Sequence, residues 1–255
     1  MVEFAGKGTA LTLDGLNSAS AASRVGLPEL WSVLSVETSG CGFLPDRRPK
    51  ILFERHIFHR LTGGRFDDVD PNVSQPTPGG YGAGGAHQYE RLAAATQLAR
   101  AAALQSASWG LNQIMGQNFA AAGFHQVEDM VVAMVESEDK QLHAGVQFII
   151  GNDMDVLLRD HDWAGFARRY NGPNYADNDY DDKLAEYYQR YANGQMPDLQ
   201  VRTVQVHLTY NGFSPGSVDG VFGPNTASAI KRFQQSVGVQ PTGVIDDELV
   251  TRLVS

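Results

Sequence analysis

Two glutamates in the first quarter of the chain, Glu37 and Glu54, could do acid–base chemistry. Leu27, Leu30 and Leu34 recur at three- and four-residue steps, and Glu37 is next on the same face of the helix this spacing predicts. Pro28 suits the first turn of that helix, and Gly40 and Gly42 stop it. A carboxyl on the inward stripe at a helix end is partly desolvated, which raises its pKa. Glu54 closes the apolar run Ile51-Leu52-Phe53 and precedes Arg55. Two carboxyls facing one cleft are the minimum equipment for hydrolysing a glycosidic bond. One donates a proton to the leaving oxygen; the other holds water or steadies the oxocarbenium-like charge. Plain readings stand beside this one: Glu37 as a solvent-exposed helix end, and Glu54 as the partner of an arginine.

The elements that must position these residues are mostly helices. The 255 residues suffice for one medium domain plus a small one, and 42% are hydrophobic, so a core is available. The formal net charge of −9 excludes nonspecific nucleic-acid binding. The single cysteine, Cys41, excludes an intramolecular disulfide and reads as a small buried thiol; a nucleophilic role would need His56 or His59. No secretory signal and no membrane-spanning run is visible, so the expectation is a chain made in the cytoplasm and released to any substrate outside it. Phe4–Ala22 reads as a short extended segment and a helix capped by Asp14. Further helices are expected over His87–Leu104, Val127–Ser137, Lys140–Ile150, Asp155–Tyr170 and Asp181–Tyr191. Between them, 62–86 is a long glycine- and proline-rich loop in which Tyr81, with nearby Tyr89, could line a sugar cleft. The seven histidines include no H-E-x-x-H pair, which leaves a zinc peptidase the weaker alternative; no metal or other cofactor is expected.

Periodicity stops at Asn193–Leu199, which divides the chain into 1–192, a linker 193–199, and a compact unit 200–255. In that unit Val204 and Leu208 line one helix face, Asp219-Gly220 and Gly223 reverse the chain, Pro224 opens a second helix, and Asp246 caps a third. Gln205, Leu208, Gly216, Asp219, Gly220, Phe222, Gly223, Thr226, Ala229, Phe233, Gln234, Thr242, Gly243 and Asp246 resemble the peptidoglycan-binding type 1 module, a three-helix bundle. That resemblance implies wall binding through Asp219, Gly220, Phe222, Gly223 and Thr226.

The run S-A-S-W-G-L-N-Q-I-M-G at 106–116 is similar to the cleft wall of lysozyme-like and lytic transglycosylase folds. Together with V-E-T-S-G-C-G-F at 36–43, R-P-K-I-L-F-E-R-H-I-F at 48–58 and R-Y-N-G-P-N-Y at 169–175, it resembles the N-acetylmuramidase family of phage endolysins and prophages. The implied fold is mainly α: a lysozyme-like helical domain and the small bundle. The implied activity is hydrolysis of the β-1,4 bond between N-acetylmuramic acid and N-acetylglucosamine, leading to host lysis. Glu37 is then the catalytic acid and Glu54 the second carboxylate; Ser108, Gln113, Met115, Tyr170, Asn171 and Tyr175 contact substrate. The expected partner is bacterial peptidoglycan, with no nucleic acid or membrane bound and the chain a monomer. The alternatives are a lytic transglycosylase working with Glu37 alone, and a wall-binding protein without catalysis.

Overall fold

The computed structural model describes residues 3–37, 40–173 and 175–254. Thr38, Ser39 and Asn174 of the family-like motifs lie outside the described residues, as does Ser255. The first domain runs α1 (Leu13–Ser23), α2 (Leu27–Glu37), β1 (Ile51–Phe53), α3 (Arg55–Thr62), α4 (His87–Gln105), β2 (Ala107–Trp109), β3 (Ile114–Met115), α5 (Val127–Glu136), α6 (Glu138–Gly151), α7 (Met154–Arg159), α8 (Trp163–Asn171) and α9 (Tyr180–Ala192). The C-terminal bundle is α10 (Leu199–Tyr210), α11 (Pro224–Ser236) and α12 (Asp247–Val254). The chain is mainly α, as its periodicity requires.

Two adjustments to the helix plan have local causes. Thr12, not Asp14, caps α1: its side chain accepts from the Gly15 amide, and Asp14 sits in the first turn. The helix expected over 155–170 is two helices, because His161 adopts φ 55° and Asp162 then caps α8 by accepting from the Gly165 amide.

The first domain has two apolar lobes. In one, α1, α2, α6, α8 and α9 close over Leu16, Leu30, Val33, Leu142, Phe166 and Leu184. In the other, the antiparallel sheet β1-β2-β3 packs Phe53 and Trp109 against Leu92, Leu104 and Met130. Phe148 and Tyr170 touch both lobes. The register sets Ile51 opposite Trp109 and Phe53 opposite Ala107, so the 110–113 turn leaves the sheet at the Lys50 end and Glu54 leaves it at the other. Trp109 is fully buried and donates its indole N–H to the Leu104 carbonyl at 3.0 Å.

The small bundle buries Val204, Leu208, Ile230, Phe233, Leu249 and Leu253. It is docked on the first domain rather than hung from it. Helix α10 has a second buried face: Arg202 and Val206, with Tyr210 a further turn on, point into the first domain. Val206 and Val218 pack with Ala10, Cys41 and Phe43, and the Tyr210 hydroxyl donates to the Gly8 carbonyl at 2.7 Å. Arg202 forms a buried ion pair with Glu138, the first residue of α6.

Trp109→Ala should cost about 3–5 kcal/mol of stability by chemical denaturation, since it empties a fully packed site and leaves the Leu104 carbonyl without its donor. A loss below about 1 kcal/mol would mean the sheet lobe collapses freely around the gap.

Candidate active site

Helix α2 packs along α9 and ends in Glu37. The carboxyl is half-buried by area but closely surrounded. Burial pushes its pKa from the ordinary 4.5 up to about 7, against opposing hydrogen bonds from the side chains of Tyr180 and Asn171. Its place at the carbonyl end of α2 also disfavours negative charge there. Tyr180, at the start of α9, donates its hydroxyl to Glu37 Oε1. Asn171, the last residue of α8, bonds Glu37 and Tyr180 with its side chain. Tyr170 stacks on Phe166 and donates to the Asn112 carbonyl at 2.8 Å; the Glu37 charge adds to burial in raising its phenol's pKa. The ends of α2 and α8 and the start of α9 therefore meet around one carboxyl, and Tyr170 ties the 110–113 turn to them.

That turn is braced from within. Gln113, at φ 48°, donates its amide to the Gly110 carbonyl (2.7 Å) and to Lys50 O (3.3 Å), and accepts from the Ser108 hydroxyl (2.8 Å). The side chains of Gln113 and Ser108 thus brace the 110–113 turn. Met115 is half-buried on β3, and Tyr175 lies beyond α8 with the Arg168 guanidinium 6.0 Å from its ring centre.

Glu54 stands in different company. Its amide bonds the Ser106 carbonyl at 2.8 Å, and its carboxylate lies 3.1 Å from His56 Nδ1 and takes a hydrogen bond from the Tyr81 hydroxyl. The hydrogen bonds of Arg91 go to the backbone of Asn72, Phe53 and Tyr81 and to the Gln88 side chain rather than to Glu54. Glu54 lies at the opposite end of β1 from the 110–113 turn, four residues from Lys50 or roughly 13 Å along the strand. The structure joins Glu37 with Tyr170 and Asn171, and Glu54 with Tyr81; it shows no contact between the two sets among the described residues. Tyr89, expected in the cleft with Tyr81, is instead buried with its hydroxyl on the Pro49 carbonyl.

In the small bundle, Gln205 organises the turn. It donates to Asp219 Oδ1 and Thr226 Oγ1, and it accepts from the Gly220 amide. Thr226 is buried, Gly223 precedes α11, and Asp219 and Phe222 face solvent. A cavity of about 230 Å³ lies at the seam of the two domains, bordered by Ser35, Tyr191, Arg190, Gly40 and Asp219. His59 is held by Asp67 at 2.8 Å, and among the described residues no group of three or more His, Cys, Asp or Glu could hold a metal ion. Among them, too, no helix is long and apolar enough to cross a membrane.

Three residues of this arrangement were missed by the sequence reading. Tyr180 meets Glu37 across 143 positions of chain. Arg202 and Glu138 look like ordinary surface charges until α10 is seen to have two buried faces; the four-residue step from Arg202 to Val206 was the available hint.

The family model for N-acetylmuramidase matches residues 26–192, and that for the peptidoglycan binding domain matches residues 197–253. Among solved structures, the chain is similar to the crystal structure of Burkholderia AP3 phage endolysin, at 42% identity and a TM-score of 0.68, over 73% of this chain and 72% of that one. No curated protein matches the chain. Fold and matches define a mainly helical glycoside hydrolase that acts on peptidoglycan. The chain belongs to the N-acetylmuramidase family.

Glu37 holds its proton in the folded protein to about pH 7, whereas the unfolded chain releases it near 4.5. Stability is therefore unaffected by this group below 4.5 and declines from 4.5 to about 7. The loss is at most on the order of 3 kcal/mol, less where solvent screens the half-buried carboxyl. Glu37→Gln keeps an acceptor for Tyr180, so it should match the wild-type unfolding midpoint at pH 4 and exceed it at pH 8. Equal midpoints at both would place the carboxyl in solvent.

Proposed function

We propose that the protein is a phage-type endolysin that hydrolyses the β-1,4 bond between N-acetylmuramic acid and N-acetylglucosamine, with Glu37 as general acid. The observation that carries this reading is the Glu37 carboxyl itself, desolvated to a pKa of about 7 and aimed by Tyr180 and Asn171. A carboxyl protonated near neutrality can give its proton to the glycosidic oxygen as the bond to the muramic anomeric carbon breaks. The braced 110–113 turn and Tyr170 form the wall against which the glycan lies, with Met115 and Tyr175 as its outer contacts. Glu54, with Tyr81 beside it, serves as the second carboxylate by steadying charge or holding water at a distance; a direct nucleophile would stand close to the acid. The exposed Asp219 and Phe222 on the Gln205-organised turn present the wall-binding face of the small bundle.

The protein acts as a monomer on the wall of the host after release from the cytoplasm. Its similarity to a phage endolysin and its pairing of a muramidase with a peptidoglycan-binding domain support this role. One observation favours a second reading. Among the described residues, no other carboxylate contributes to the surroundings that set the Glu37 pKa, which suits a lytic transglycosylase that closes an anhydro ring with a single acid.

Glu37→Gln should lower kcat on purified peptidoglycan about 10²–10⁴-fold, and wild-type activity should fall as pH rises through about 7. Mass analysis of the digest decides the chemistry: reducing muramic ends support hydrolysis, and anhydro-muramic ends support the second reading. Near-wild-type turnover by Glu37→Gln would remove the acid role from this residue. For Glu54→Gln, a fall of at least about tenfold is expected, and unchanged kcat would make Glu54 structural.

A further inference from the structure

The seam between the two domains carries more than an attachment. Glu138 is fully buried and its carboxylate collects three partners from three separate stretches of chain. Oε2 accepts from the Leu11 amide and Oε1 from the Gly42 amide, each at 2.8 Å, and Arg202 of α10 grips both oxygens. The second nitrogen of that guanidinium, Nη2, also donates to the Gly40 carbonyl at 2.7 Å. Gly40 lies three residues after Glu37. It has φ 97°, and a Cβ there would fall 2.1 Å from the Val218 carbonyl, so the small bundle packs directly on its backbone. Cys41 and Phe43, the next side chains, are buried against Val206 and Val218. The segment that leaves the Glu37 helix is thus clamped at 40–43 by the wall-binding bundle on one side and Glu138 on the other.

We infer that Arg202, a residue of the peptidoglycan-binding bundle, is a positioning residue for the reaction, fixing through Gly40 and Glu138 the segment that sets where the Glu37 carboxyl points. The bundle then does two jobs. It holds the wall, and it completes the catalytic domain. This rests on Glu37 being the proton donor. The fork geometry explains why the residue is arginine: one planar group reaches two carboxylate oxygens and a carbonyl at once, and a lysine ammonium cannot span all three.

The test separates positioning from anchoring by substrate. On a soluble glycan of a few disaccharides, wall anchoring contributes nothing, so a bundle that only tethers predicts wild-type turnover from any Arg202 variant. Full-length Arg202→Lys is expected to lower kcat on that glycan between about tenfold and a hundredfold with KM little changed. The alkaline limb of its pH profile should also shift. The pair Glu138→Gln with Arg202→Met fills the same space without buried charge, loses the contact to Gly40 and leaves one of the Leu11 and Gly42 amides without its acceptor; it should show the same kcat loss, and it carries the test if the single variant does not fold. Wild-type kcat and an unmoved pH limb in the folded variants, with loss confined to intact walls, would overturn the inference. Glu37→Gln is run alongside: if it stays active, the acid assignment fails whatever Arg202 does, whereas an inactive Glu37→Gln with unaffected Arg202 variants sinks the positioning role alone.

Discussion

The buried pair Glu138–Arg202 is the contact on which the remaining architecture depends. A carboxylate with no exposed surface is stable only when its charge is matched and its lone pairs are filled, and here two backbone amides and a guanidinium do so. Because those partners come from the stretch before α1, from the segment after α2 and from α10, satisfying one charge fixes three parts of the chain together. Removal of either member alone leaves an uncompensated buried charge, a loss of about 3–5 kcal/mol. The peptidoglycan-binding bundle is accordingly part of the folded body.

This arrangement also explains where Glu37 sits. Helix α2 packs along α9, and the bundle packs on Cys41 and Phe43 beyond its carbonyl end. The half-buried carboxyl meets the side chains of Tyr180 and Asn171. Burial outweighs the two hydrogen bonds in setting its pKa, since both bonds would favour the charged form and the value still rises. Cys41, in the same seam, shows the same influence of burial, with its thiol pushed up to about 12.

How much of this could be read from the sequence depended on distance along the chain. The position of Glu37 was legible because the leucine spacing before it fixes its face, and the bundle because its helix faces, turn glycines and caps follow one another within a short stretch and resemble a known module. The split of the 155–170 helix was not, since it turns on His161 in a left-handed conformation and on the Asp162 cap. Gln113 was legible as a polar residue near a cleft, but its direction was not: only the packed turn shows that its amide is consumed by Gly110, Lys50 and Ser108. Tyr180 and the Arg202–Glu138 pair are products of tertiary packing, in which partners more than 60 positions apart meet. Sequence periodicity extends over one helix and cannot report such meetings.

The central claim is that folding keeps the Glu37 carboxyl protonated near neutral pH. Site-specific ¹³C NMR titration of that carboxyl in the full-length protein tests it most directly, with Glu37→Gln serving to assign the resonance. The account predicts a midpoint near 7. A midpoint near the ordinary 4.5 would show an ionised, solvated carboxylate and contradict it.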